Sequence, residues 1–421
     1  MRKMKPSGVE WIGDIPQEWE VSRIGYLFSE RKVKVSDKEY EPLSVTMQGI
    51  VPQLSTAAKT DAHDDRKLVC NGDFVINSRS DRRGSCGISK YDGSVSLINI
   101  VLKPRIEISQ QYYNWLFKSS AFSDEFYKWG HGIVDDLWTT NWQDMKHIYI
   151  SLLPLPEQQR IAEFLDRKCA EIDSVISKTK ATIEQYKSLK QSVITQAVTK
   201  GIRLDRPMKD SGDIWIGLIP EDVKLSRTGL HFNIVLGKML CTDPIDDSYT
   251  YEYYYCAANV HFGELSNDGL KQMWFSEKEK QQYLVNAGDL LVVEGGAGAG
   301  GCCLVPSQEN KTYIQNSIMI VRGKNSNCTG YLRYLIEFLV KSGYVDIVCN
   351  KATIPHFTKE KLAAVPFPLF SPIEQQEIAD YLDRKCSEID RLIAAKEQLL
   401  TELESYKKSV IYEYVTGKKE V

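Results

Sequence analysis

No stretch of this sequence approaches the roughly 18 apolar residues that would suggest a membrane span, and no apolar segment of a secretion signal follows the charged start Met1-Arg2-Lys3-Met4-Lys5-Pro6. On these gaps neither a membrane-spanning nor a secreted chain is expected, and a soluble cytoplasmic protein is. Cys-x-x-Cys pairs are also missing. The 10 cysteines are scattered, and the one adjacent pair, Cys302-Cys303, follows a glycine run with no histidine partner. Neither zinc-ligand spacing nor a disulfide framework is written here, so reduced thiols are expected. A basic excess is absent too, since 53 Lys and Arg face 56 Asp and Glu for a net charge of -3. Domains that hold nucleic acid commonly carry surplus cations for the phosphates. The balance therefore argues against a protein that grips DNA unaided, and less against one that shares DNA with a partner or concentrates its cations locally.

What is present is a repeat. Glu157-Gln158-Gln159 through Asp173 returns 217 residues later as Glu374-Gln375-Gln376 through Asp390, identical at 13 of 17 positions, and the register runs on to Ser192-Val193-Ile194 against Ser409-Val410-Ile411. A second pair agrees: Ser7-Gly8, Trp11-Ile12-Gly13 and Ile15-Pro16 recur as Ser211-Gly212, Trp215-Ile216-Gly217 and Ile219-Pro220. The chain of 421 residues, 43% hydrophobic and 26% charged, is long enough for two or three domains. It reads as a tandem duplication in which each half is an opener, a variable globular stretch and a long helix. The expected segments are 1–155, a helix at 156–201, a second domain at 202–371 and a final helix at 372–421.

Pro156 and Pro372 stand at the entry to acidic first turns, where a missing N–H costs nothing and negative charge meets the positive helix end. Downstream, Ile161, Leu165, Cys169, Ile172, Ile176, Ile183, Tyr186 and Val193 mostly recur at spacings of three and four, as do Ile378, Leu382, Cys386, Ile389, Ile393, Leu400, Leu403 and Val410. At about 1.5 Å per residue, a helix from Pro156 to Lys200 would run roughly 65 Å and need another long helix along its seam. Its copy in the same chain could serve, parallel or antiparallel, as a rigid spacer between two domains; a dimerisation stalk has the same periodicity. Asp166-Arg167-Lys168 and Asp383-Arg384-Lys385 suit a solvated face or a surface that docks two copies of one partner.

Between opener and helix, Gly72-Asp73-Phe74-Val75-Ile76 matches Gly288-Asp289-Leu290-Leu291-Val292, and Ser96-Leu97-Ile98-Asn99-Ile100 matches Tyr313 to Ile318. These read as strands in corresponding places, followed by helical segments at 111–129 and 330–348, so each half holds a mixed α/β domain of about 150 residues. The loops differ. The first copy has Asn77-Ser78-Arg79-Ser80-Asp81-Arg82-Arg83-Gly84, a local nucleic-acid signal. Arg79, Arg82 and Arg83, with Lys90, Lys103 and Arg105 nearby, supply donors for phosphates or guanine edges, and Ser78 and Ser80 add short hydrogen-bonders; a solvated turn is the plainer alternative. The second copy has a literal G-x-G-x-x-G at Gly296, Gly298 and Gly301. A dinucleotide site is rejected, because Cys302 to Pro306 continues as strand and turn where a helix should start, and no acidic ribose partner stands near Val321-Arg322. A loop lying close to a large surface fits better, with Arg322 and Lys324 as further candidate contacts. His131, near Trp138 and Asn141, and His356, near Lys351 and Thr353, occupy comparable places. No nucleophile or carboxylate pair recurs beside both, so base or phosphate contact, or an ordinary surface or core histidine, is expected over catalysis. Trp11 and Trp215 read as packing anchors for the openers.

These residues bring the chain into resemblance with a known family. Ser7 to Pro16, Leu153-Pro154-Leu155-Pro156-Glu157-Gln158-Gln159, and Val198-Thr199-Lys200-Gly201 leading to Met208-Lys209-Asp210-Ser211-Gly212 resemble, in this order and duplicated, the specificity subunit of type I restriction-modification systems. The resemblance spans essentially the whole chain. It implies two target-recognition domains held apart by paired long helices, each reading half of a bipartite double-stranded DNA site. It also implies two methylation subunits docked on the helices with S-adenosylmethionine, and two translocase-nuclease restriction subunits bringing ATP and Mg. The lack of an Asn-Pro-Pro-Tyr motif, a Walker sequence and a nuclease carboxylate cluster fits a subunit that recognises without catalysing. The second opener departs from the pattern: Asp213-Ile214 stands for Val9-Glu10 and Val223 for Trp19, which leaves the seating of the second domain open. The alternative is a protein-binding scaffold with a coiled-coil stalk, which would gain if the Asn77 to Arg105 arginines were dispersed or ion-paired.

Overall fold

The computed structural model describes residues 2–54, 64–132, 138–306, 311–349 and 355–421. The two long helices span Leu155–Lys200 and Pro372–Val415. The chain divides into two units, Met1–Ala181 with Glu397–Val421, and Thr182–Lys396, so each unit takes in part of both helices.

In the first unit a four-stranded antiparallel sheet runs Cys86–Ile88, Phe74–Asn77, Asn99–Pro104, Phe28–Glu30. Against it lie the helices Gln110–Lys118 and Ser120–Lys128, whose first turns are capped by the hydroxyls of Ser109 and Ser119. An aromatic core of Phe28, Phe74, Tyr112, Tyr113, Phe117 and Phe122 fills the space between. Ile161, Leu165 and Cys169 of the first long helix join this core, together with Val410, Ile411 and Val415 from the end of the second. The partner helix covers part of the seam, and the opening turns are in addition buried in the globular domain. The helices run antiparallel here, with Phe164 against Tyr414 at 4.3 Å between ring centroids and Asp173 bonded to Lys407 Nζ at 2.6 Å.

The second unit repeats the sheet as Cys302–Leu304, Leu290–Val293, Ile318–Gly323, Phe232–Leu236. Its core takes Ile378, Leu382 and Cys386 from the start of the second long helix and Ile194, Ala197 and Val198 from the end of the first. Lys190 Nζ bonds Asp390 at 2.7 Å, the repeat of the Lys407–Asp173 pair. Ile172 and Ile389 are buried while Ile176 and Ile393 are half-buried, and in the first helix burial resumes at Thr179 and Ile183.

The repeated Glu-Gln-Gln has a structural reason. Gln158, 2% exposed, accepts the Ser109 N–H at 2.8 Å and donates to Leu153 O at 2.8 Å. Gln375 accepts the Cys328 N–H at 2.9 Å and donates to Phe370 O at 2.9 Å. Each glutamine therefore ties its helix start to the head of the neighbouring domain helix. The preceding glutamates pair with Arg2 and Arg206 in turn. Trp19 is fully buried and donates to Glu157 Oε2 at 3.0 Å, whereas Val223 cannot, and Glu374 gains Arg203 at 3.9 Å instead. This is how the departing second opener is seated. Trp11 and Trp215 pack edge-on against Phe122 and Tyr344, as anchors should.

Two details differ from the expected elements. Ser96 to Ile100 is a corner: the strand Gly93–Ser96 ends, Leu97 and Ile98 form a turn, and Asn99 opens a strand in the other sheet. The segments 111–129 and 330–348 each break in two, at Ser119, whose hydroxyl caps the next helix, and at Ser342-Gly343, where Gly343 has φ +87°.

Candidate nucleic-acid interface

The loop after the Phe74–Asn77 strand is folded by its own polar groups. Asn77 Oδ1 accepts the Arg79 N–H at 3.1 Å, the Ser80 N–H donates to Trp138 O at 3.0 Å, and Arg79 bridges to Thr139. A 3-10 turn at Ser80–Arg82 then lifts three guanidinium groups outward. Arg79 Nε lies 3.1 Å and Arg82 Nε 3.7 Å from the single carboxylate of Asp81. Arg83 reaches Asp124 at 3.4 Å and covers the Tyr127 ring at 5.2 Å. These arginines are gathered, not dispersed, and each has an acidic neighbour. Such exposed pairs are worth about 0 to 1 kcal/mol, little enough for a phosphate to displace the carboxylate.

A cavity of about 480 Å³ opens beside this loop, with the hairpin Leu43–Thr46 and Gly49–Pro52 as its other wall. Thr46, Gln53, Asn77, Arg82, Arg83 and Asn99 line it. At its edge Arg66 is buried and bonded to Ser94 Oγ at 2.8 Å, and burial holds its pKa below the usual arginine value. Asn99, 5% exposed, donates from Nδ2 to Ser96 O and Oγ, both at 3.1 Å, while its Oδ1 has no partner among the described residues.

The other candidates of the first unit are placed elsewhere. Ser78 is buried, its carbonyl accepting the Thr140 N–H. Lys90 lies beyond Ile88, at the opposite end of the hairpin from the arginines. Lys103 is exposed at the far end of its strand, paired with Ser29, and Arg105 donates to Phe28 O. Asn141 caps the Trp142–Met145 turn by accepting the Gln143 and Asp144 N–H groups. His131 stays at the loop, exposed, with Nε2 3.4 Å from Asp144.

In the second unit the glycine loop follows Val293. Gly296, with φ +88°, donates its N–H to Pro355 O at 3.1 Å, and the chain continues as the strand Cys302–Leu304, so the rejection of a dinucleotide site agrees with the backbone. Gly298 lies inside this turn, its carbonyl accepting the Gly301 N–H. Gly295 bridges to His356 as Arg79 bridges to Thr139. His356 therefore corresponds to Thr139, and the apparent equivalence with His131 is corrected; His356 Nδ1 lies 3.2 Å from Glu294. Arg322 is turned inward in a two-point pair with Asp289 at 2.7 and 2.8 Å, which raises its pKa, and Lys324 Nζ donates to Gly229 O at 3.0 Å. Lys351 and Thr353 lie outside the described residues. What the sequence reading passed over is an aromatic sheet face, where Tyr251 and Tyr253 are half-exposed and Tyr251 meets Trp274 at 5.1 Å between ring centroids. Alternation within Thr250–Tyr255 was the available signal.

On the helices, the repeated aspartates serve their own domains. Asp166 accepts from Trp115 Nε1 at 2.8 Å and Gln111 Nε2 at 2.9 Å, and Asp383 from Tyr334 Oη at 2.6 Å. Arg167 and Arg384 remain exposed over the rings of Phe164 and Tyr381.

The family described as type I restriction modification DNA specificity domain matches residues 16–185 and 220–405. The chain belongs to this family. It carries two copies of the family's DNA specificity domain, one for each repeat. A relative, the type I restriction enzyme MjaVIII specificity subunit of Methanocaldococcus jannaschii, is 23% identical over 439 residues, covering 96% of this chain and 93% of that one. The fold is shared with the HsdS subunit of Thermoanaerobacter tengcongensis at a TM-score of 0.58 and 16% identity, over 96% of this chain and 98% of that one. It is shared more closely, at 0.71 and 16% identity over 96% and 99%, with a chain from a structure of complex assembly and conformational transition of the type I R-M system. A protein-binding scaffold is not favoured by these likenesses.

Proposed function

We propose that this family member is the non-catalytic, sequence-reading subunit of a type I restriction enzyme, each unit reading one half of a bipartite, asymmetric double-stranded DNA site. The carrying observation is that one four-stranded frame is built twice and finished with unlike loops, arginine-rich in the first copy and glycine-rich in the second. Equal frames with unequal loops suit two different half-sites. The long helices would set the spacer between the halves. Features presented twice, Arg167 with Arg384 and half-exposed Val175 with Leu392, suit two copies of a methylation subunit. S-adenosylmethionine would enter with those subunits, and ATP and Mg with two restriction subunits. Among the described residues no helix is long and apolar enough to cross a membrane, and we place the complex in the cytoplasm. Single-molecule methylation mapping of the source genome, with and without this gene, tests the reading. Loss of an N6-adenine mark at one bipartite motif is expected, and an unchanged methylome despite an expressed complex would overturn it.

A further inference from the structure

Asn99 differs from its surroundings in a way that the fold of the first unit does not require. It opens a strand of the four-stranded sheet and pairs with Asn77; at the same register in the second unit Ile318, fully buried, pairs with Val293. An apolar pair serves the sheet in one copy, and buried Asn99 opposite half-buried Asn77 stands in the other. Asn77 uses its Oδ1 on the Arg79 N–H and so shapes the arginine loop. Asn99 has no such use for its own. Its orientation is set by Ser96, because only the amide nitrogen can donate to the Ser96 carbonyl, which leaves Oδ1 as a buried acceptor without a partner among the described residues. A buried acceptor left unmade is costly and calls for an explanation. The residue is among those that line the 480 Å³ cavity whose rim carries Arg82 and Arg83, and Oδ1 itself is covered in the DNA-free chain, so a base reaches it only by displacing that cover.

Resting on the DNA-reading function proposed above, we infer that Asn99 is a specificity-determining residue: its Oδ1 accepts a hydrogen bond from the exocyclic amino group of one base of a half-site, while Arg82 and Arg83 hold the flanking phosphates. The chemistry selects by sign. Adenine N6 and cytosine N4 present donors in the major groove, whereas guanine O6 and thymine O4 present acceptors that would face Oδ1 unfavourably. The Nδ2 group is committed to Ser96, so the contact is a single bond and not the two-point Asn–adenine pairing. A preference for adenine or cytosine over guanine or thymine at one position follows, with flanking contacts choosing between the first two.

The test uses the purified methyltransferase complex and duplexes carrying its mapped motif. At each adenine or cytosine of the motif the base is replaced by its analogue without the amino group, purine for adenine and 2-pyrimidinone for cytosine. Binding is measured for the wild-type chain, Asn99→Ala and Asn99→Ile, the last bearing the residue that the second copy tolerates at this register. With the wild type, one position in one half-site should cost about 3- to 10-fold in affinity, as expected for one hydrogen bond. With both variants that position should become indifferent to the analogue while every other position keeps its cost. The sensitive position identifies adenine or cytosine as the base read. If the analogue costs the same in wild type and variants at every position, or if only ordered water satisfies Oδ1 so that no position responds, the inference is overturned. Failure of the wild-type complex to prefer any bipartite motif would overturn the DNA-reading function itself. Retained preference at the other half-site shows that the variants are folded.

Discussion

Gln158→Leu isolates what the repeated Glu-Gln-Gln does. Gln158 is 2% exposed and makes two bonds at 2.8 Å, to the Ser109 N–H and the Leu153 carbonyl. Leucine is close in size, so the substitution leaves little void and strands two backbone groups. Each stranded group costs about 1 to 3 kcal/mol, and the added apolar burial returns about 1 kcal/mol. The net is a loss of about 3 kcal/mol, or roughly a hundredfold in an opening constant. It should be local, because Gln375 performs the same task in the other unit through its own bonds. Hydrogen exchange read by mass spectrometry should show the Gln110–Lys118 helix exchanging roughly a hundredfold faster while Thr329–Lys341 is unchanged. Gln375→Leu should reverse the pattern. A change below about 0.5 kcal/mol, or equal loosening of both helices, would refute the reasoning.

Arg82→Ala with Arg83→Ala should weaken binding at one half-site only and reduce the salt dependence of affinity by about 0.9 for each phosphate no longer neutralised; equal loss at both half-sites, seen in competition between mismatched duplexes, would contradict this. Lys407→Ala removes an exposed ion pair with Asp173 and should cost about 0.2 to 1 kcal/mol in denaturant melts, shrinking as salt is added; a cost that is insensitive to salt would mean that the lysine stem, not its charge, matters. Deleting four residues, about one helical turn, from the middle of both long helices should shorten the preferred spacer in the methylated motif, and an unchanged spacer would refute the ruler.

The long helices and the duplication were legible in sequence because a 3.6-residue period repeated over dozens of residues leaves little room for another structure. The corner at Leu97-Ile98 was not, since a turn made of two apolar residues, without Gly or Pro, looks like continuing strand. Charge was visible at Arg322, but its partner Asp289 lies 33 residues away and only the sheet brings them together. The arginine loop was found, as its cations are adjacent in the chain; the cavity beside it was not, because its walls come from four separated stretches of the chain. Asn99 could have been noticed as a polar residue in a strand whose copy is apolar. That requires the register between the repeats, which the corner obscures.

The sharing of helix ends sets an order of events during synthesis. All of Thr182–Lys396 is contiguous, so the second unit can close once its own residues have left the ribosome. The first unit cannot, although its strands precede those of the second: Val410, Ile411 and Val415 belong to its core and are translated only after the whole of the second unit. At about 5 to 20 residues per second this leaves an incomplete core waiting roughly 10 to 50 s. A nascent chain would thus finish its later-made half first, and a truncated transcript would never yield a finished first half.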